Sequence, residues 1–119
     1  MNHGRKITGG KYMKSRKKKL YERPGQKRNV KLGEDKRKSK RVRGGGLKML
    51  LLKAKSVNVQ TEGKSKKIEI KNVLETPSNR FLARQNIITK GTIVQTDLGK
   101  VKITSRPTQT GILNGVLVQ

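Results

Sequence analysis

The chain has 119 residues, room for one small domain and an extension, and its 31 Lys and Arg against 7 Asp and Glu give a net charge of +24. Self-repulsion at that density opposes compaction, so the charge implies an acidic partner, whether nucleic acid, an anionic membrane surface or an acidic protein. The absence of cysteine excludes disulfides and thiolate metal sites, the longest apolar run (Met49, Leu50, Leu51, Leu52) is too short to span a bilayer, and no hydrophobic leader core accompanies the basic N-terminus.

In chain order, residues 1–46 come first, with 18 basic and 3 acidic side chains. Beyond Met1, their larger apolar residues are Ile7, Tyr12, Met13, Leu20, Tyr21, Val30 and Leu32, too scattered to offset the roughly 1–2 kcal/mol per residue that backbone ordering costs. Pro24-Gly25 is a breaker, and Gly44-Gly45-Gly46 ends the segment as a hinge. The expectation is a long basic extension without a regular core, in which short stretches such as 13–22 turn helical once their charge is neutralised.

Residues 47–119 hold 13 basic and 4 acidic side chains and have the pattern of strands. Leu and Val over 47–59 predict one bent strand or two joined near Lys55-Ser56. Ile68-Glu69-Ile70-Lys71 alternates with period two, as a half-buried strand does. Asn79 to Gln85 has helical character after a Pro77-Ser78-Asn79 start signal. The β-branched runs 92–96, 101–105 and 112–118 are separated by turn-like Asp97-Leu98-Gly99 and by a second turn over 107–111. About six short strands in so few residues predict an all-β domain, a small closed or nearly closed barrel, because closure removes exposed edges. On this reading the barrel survives deletion of residues 1–43.

The chemistry-bearing residues are mostly cations. Gly4, Gly9 and Lys11 resemble a phosphate-binding loop, but Gly10 stands where its lysine belongs and Tyr12 replaces the magnesium-binding hydroxyl. Against a nucleic-acid backbone the same segment is coherent: Lys and Arg neutralise phosphates, glycines let the chain bend close to a groove, and tyrosines stack on unpaired bases. The candidate contacts in the extension are Arg5, Lys6, Lys11, Tyr12, Lys14, Arg16, Lys17, Lys18, Lys19, Lys27, Arg28, Arg37, Lys38, Lys40, Arg41 and Arg43. In the barrel half Arg80, Arg84, Lys90 and Arg106 fall at turns or strand ends, where a side chain can face a partner without breaking the alternation. His3 stands alone, so neither a zinc site nor a triad with Ser105 is supported, and Glu62, Glu69, Glu75 and Asp97 suit solvent or lysine partners better than acid–base catalysis.

Four blocks occur in order: GRKITGGKY at 4–12, KRKSKRVRGG at 36–45, NIITKGTIVQ at 86–95 and TSRP at 104–107, followed by a short apolar C-terminal strand. Together they resemble the archaeal and eukaryotic small-subunit ribosomal protein "eight-e" family over nearly the whole chain, at archaeal-type length. The resemblance implies a cytoplasmic, structural constituent of the small ribosomal subunit that binds 16S-type small-subunit ribosomal RNA and supports subunit assembly and translation. It also implies a basic extension threading into RNA, a small β-barrel, and neighbouring small-subunit proteins as partners. No enzyme activity, metal, cofactor, membrane, small-molecule substrate or homo-oligomer is implied. Two places depart from the family pattern: Thr108-Gln109-Thr110-Gly111 replaces Gly-Gln-Asp-Gly, and apolar Leu47 and Met49 follow the glycine hinge. From charge alone, an architectural DNA-binding protein is the competing reading.

Overall fold

Strands dominate the computed structural model, which describes residues 4–13, 15–61 and 63–118. They are β1 (Val30–Leu32), β2 (Lys36–Arg41), β3 (Leu47–Ala54), β4 (Ser56–Thr61), β5 (Lys64–Glu75), β6 (Ile87–Ile88), β7 (Ile93–Thr96), β8 (Gly99–Ile103) and β9 (Asn114–Leu117). Helix α1 (Arg80–Arg84) precedes β6, and α2 (Pro107–Thr110) precedes β9. The stretch 47–59 is thus two strands, broken at Lys55.

Strands β4, β5, β7, β8 and β9 form a closed barrel, five strands where the sequence predicts about six. Closure comes from β9, which runs antiparallel to β8 and parallel to β4, with Asn58 opposite Asn114 and Gln60 opposite Val116. The alternation turns Val57, Val59, Val94, Val101 and Ile103 inward, none more than 1% exposed. Gly115 faces this interior, where a Cβ would collide with Val101 Cγ1. At the barrel's rim Asn79 caps α1 by accepting from Phe81 N at 3.0 Å, as its sequence signal predicts.

The remaining strands make a second sheet in the order β2-β3-β1-β6. Here the structure departs from a core-free extension. Strand β1 lies between β3 (parallel) and β6 (antiparallel), and Val30 is 1% exposed. It packs in one apolar cluster with Leu51, Ala54, Val57 and Ile88, so the sheet and the barrel share a core. Leu32 N donates to Asn86 O at 2.9 Å and Gly33 N to Ala54 O at 3.1 Å, which ties the C-terminal end of β1 to its surroundings. Three residues are too few to show a period, so β1 is invisible in sequence. Strand β2 is an edge strand whose order comes from β3.

In the free chain the described part of 13–22 holds a 3-10 turn at Leu20–Glu22, and α2 replaces the predicted turn at 107–111. The extension stretches the molecule to 68 × 37 × 25 Å. Its radius of gyration is 21.3 Å, against about 13–14 Å for a compact chain of this length.

Candidate nucleic-acid interface

The first basic segment is open but not featureless. Lys6 N donates to Gly10 O at 2.8 Å and Gly9 N to Lys6 O at 2.9 Å, a turn that sets Arg5 opposite Lys11. Gly9 sits at φ +81°, so the turn needs a residue without a side chain at that point. Tyr12 and Tyr21 are 66% and 71% exposed, with Lys6 Nζ and Lys19 Nζ each 5.9 Å from the respective ring centroid. Their free faces suit stacking on a base.

Arg16 is engaged already. Its guanidinium donates twice to Glu22, at 2.8 and 2.6 Å, and Lys19 N donates to the same carboxylate at 3.1 Å. The Arg16 bond, then the Lys19 amide, hold the Glu22 carboxyl below its usual range, and Glu22 raises the already high pKa of Arg16. Lys17, Lys18, Lys19, Lys27 and Arg28 are exposed. Candidate Lys14 lies outside the described residues, as do His3 and Glu62.

The second basic segment is β2, and its register with β3 decides what its charges face. Lys36 stands opposite Lys53 and Lys40 opposite Lys48, while Lys38 faces Leu50, Arg37 faces Leu51 and Arg41 faces Leu47. Like charges directly across an antiparallel pair oppose its formation. The neighbouring acid Asp35 is used elsewhere, accepting from Lys55 N at 2.8 Å and lying 3.9 Å from Arg37 Nη2. Arg43 projects at the hairpin tip, closed by Val42 N donating to Gly46 O at 2.8 Å. Every described candidate cation is exposed, and the buried core is apolar apart from Thr76, Thr92 and Thr96.

In the barrel half Arg80 and Arg84 lie on α1, Lys90 in the turn between β6 and β7, and Arg106 at the N-cap of α2. Three candidates far apart in sequence meet: Arg28, Lys90 and Arg106 line one cavity of about 320 Å³ with Ser78, Ile88, Thr89, Pro107 and Thr108. Arg84 instead borders a separate depression beside Asn72 and Asn86. Sequence reasoning missed Lys48 and Lys53, which only the β2–β3 register reveals. It also missed Lys100 and Lys102 on the outer face of β8, which the alternation around buried Val101 and Ile103 could have shown. The acids of the folded half are spread out: Glu69 Oε2 lies 3.2 Å from Lys55 Nζ, and Asp97 pairs with Lys71.

The family model described as Ribosomal protein S8e matches residues 1–118. The chain is 51% identical over 117 residues to the small ribosomal subunit protein eS8 of Nanoarchaeum equitans, covering 97% of this chain and 92% of that protein. It is 52% identical over 122 residues to the protein of the same name from Staphylothermus marinus, covering 99% and 94%. The like-named protein of Methanosarcina barkeri is 38% identical over 117 residues, covering 97% and 94%.

Proposed function

The chain belongs to the ribosomal protein S8e family, and from that premise we propose that it is a structural constituent of the cytoplasmic small ribosomal subunit. It binds small-subunit ribosomal RNA as a single copy beside neighbouring small-subunit proteins, and it supports subunit assembly and translation without catalysing a reaction. The observation that carries the RNA-binding reading is the register of an ordered hairpin, which sets Lys40 opposite Lys48 and, beside a register shift, Lys36 opposite Lys53. A sheet that holds such pairs is under electrostatic strain when free, and an anion laid along it relieves that strain.

Residues 1–46 supply most of the contact and residues 47–119 the base from which they extend, with β1 tying the two together. Cations from Arg5 to Arg43 neutralise phosphates and release condensed counterions. The bend at Gly9 lets the chain follow a groove, and Tyr12 and Tyr21 stack on unpaired bases. With about half of these cations on phosphate, log affinity falls with log salt with a slope of several units. Sedimentation of the tagged chain from cell lysate tests the assignment, the expected result being comigration with the small subunit at moderate salt. Recovery with chromatin, or an RNA affinity indifferent to salt, would overturn it.

A further inference from the structure

We infer that the cavity lined by Arg28, Lys90 and Arg106 is a preorganised seat for one phosphate of the RNA backbone, an inference that rests on the RNA-binding reading above. Its lining comes from four separate places in the chain: the segment ahead of β1, the β5–α1 connection, the end of β6 with the turn after it, and the start of α2.

Lys90 and Arg106 stand on backbone that is already held, and Arg28 lies close ahead of a held strand. Arg28 is two residues from Val30, which is buried in the shared core. The Lys90 turn is closed by Thr89 N donating to Thr92 Oγ1 at 3.0 Å, and Gly91 N donates to Ile103 O at 2.7 Å. The Arg106 carbonyl accepts from Gln109 N and Thr110 N at 3.0 Å each and from Thr110 Oγ1 at 2.9 Å. Little backbone entropy is then lost when a ligand arrives, unlike binding along the open segment.

Charge balance separates this cavity from the others. Where Arg37 and Lys67 line a concavity, Asp35 lines it too, and the one bordered by Lys55 also holds Glu34 and Glu69. Arg84 borders its depression as a lone cation. Around Arg28, Lys90 and Arg106 no carboxylate lines the wall, and among the described residues the ion pairs belong instead to Arg16, Arg37, Lys55 and Lys71.

A phosphodiester matches what is left. Guanidinium groups offer paired donors to its two non-bridging oxygens, Lys90 adds a point charge, and the hydroxyls of Ser78 and Thr108 are further donors. Ile88 and Pro107, both buried, back the cavity and limit competing water. At about 320 Å³ the space is large enough to admit a phosphate group. RNA rather than an acidic peptide is assigned because Arg28 is the last cation of the open segment before β1, so a strand following that segment arrives at the cavity.

Two full-length variants of equal charge test the proposal on a small-subunit ribosomal RNA transcript: Lys90→Gln with Arg106→Gln, and Lys64→Gln with Lys66→Gln on open β5. The cavity pair is expected to lose about tenfold more affinity than the open pair, with unchanged thermal unfolding, and Arg28→Gln to combine non-additively with Arg106→Gln. Equal losses in the two pairs overturn the seat while leaving RNA binding intact. A wild-type chain without salt-dependent RNA affinity overturns the functional reading instead, and an NMR titration with adenosine 5′-monophosphate then judges the seat by itself. Shifts at Ser78, Lys90, Gly91 and Thr108 before any at 38–41 support it. Shifts at all basic segments together, or tighter binding of a polyglutamate peptide than of the nucleotide, overturn it.

Discussion

Two basic stretches of one chain have similar compositions and different fates. Residues 16–19 (RKKK) run in the open as exposed coil, whereas residues 36–41 (KRKSKR) form a strand paired with β3. Intrinsic preference does not separate them, since lysine-rich sequence is a poor strand former in either place. The neighbour does. Strand β3 buries Leu50 and Leu51 and offers an unpaired edge, and the chain arrives there straight after Val30 is seated in the core. A strand of five cations and a serine is thus ordered by its partner's burial, and its edge position keeps its own side chains wet. Lysine on such an edge also discourages pairing with another chain.

The largest test of this contrast is truncation. Deleting residues 1–28 should leave the urea-unfolding midpoint nearly unmoved. Deleting 1–43 removes β1 and β2, uncovers Leu51, Ala54 and Ile88, and should cost on the order of 3–5 kcal/mol. Equal midpoints for the two truncations would show that the second sheet is an ornament. Next in size is Val30→Ala, expected to cost about 2 kcal/mol in the same assay, against no more than about 0.5 kcal/mol for exposed Ile7→Ala. A smaller effect separates the stretches by sign. Lys40→Glu should stabilise the free protein by about 0.2–1 kcal/mol, by facing Lys48 with an opposite charge, and weaken RNA binding. Lys18→Glu should weaken RNA binding with no gain in stability.

The smallest effect is local and depends on pH. Glu22 has a lowered pKa because it accepts from Arg16 and then from Lys19 N. Whatever order the pair lends to the Leu20–Glu22 turn is therefore complete above the ordinary carboxylate range and is lost as pH falls through the lowered pKa. The Lys19 amide resonance should move over that acidic window while the global unfolding midpoint follows other groups. Both atoms are solvent-exposed, so salt should shrink the effect.

How much of this was legible in sequence follows from what each element is made of. The barrel strands announce themselves because β-branched residues alternate, as at Ile68 and Ile70 or Val101 and Ile103, and alternation is set locally by the pleat. Asn79 announces α1 for the same local reason, through its cap. Strands β1 and β6 are three and two residues long, and β2 has no apolar residue at all. Their order is borrowed from partners distant in the chain, which no window of sequence contains. The candidate interface divides in the same way. The kind of residue was readable, but which lysine faces which, and that Arg28, Lys90 and Arg106 share one cavity, are facts of register and topology.

The parallel pairing of β9 with β4 has a consequence for timing. The barrel has no closed wall until Asn114, Gly115 and Val116 are in place, and β9 is the last of the five barrel strands in chain order. A chain synthesised from its N-terminus offers its cations first and finishes its fold last. Because Val57 and Val59 sit on the strand that waits for β9, the nascent protein carries an apolar seam until β9 has been made. During that interval solubility depends on the charged leading segment, whose repulsion keeps two unfinished copies apart.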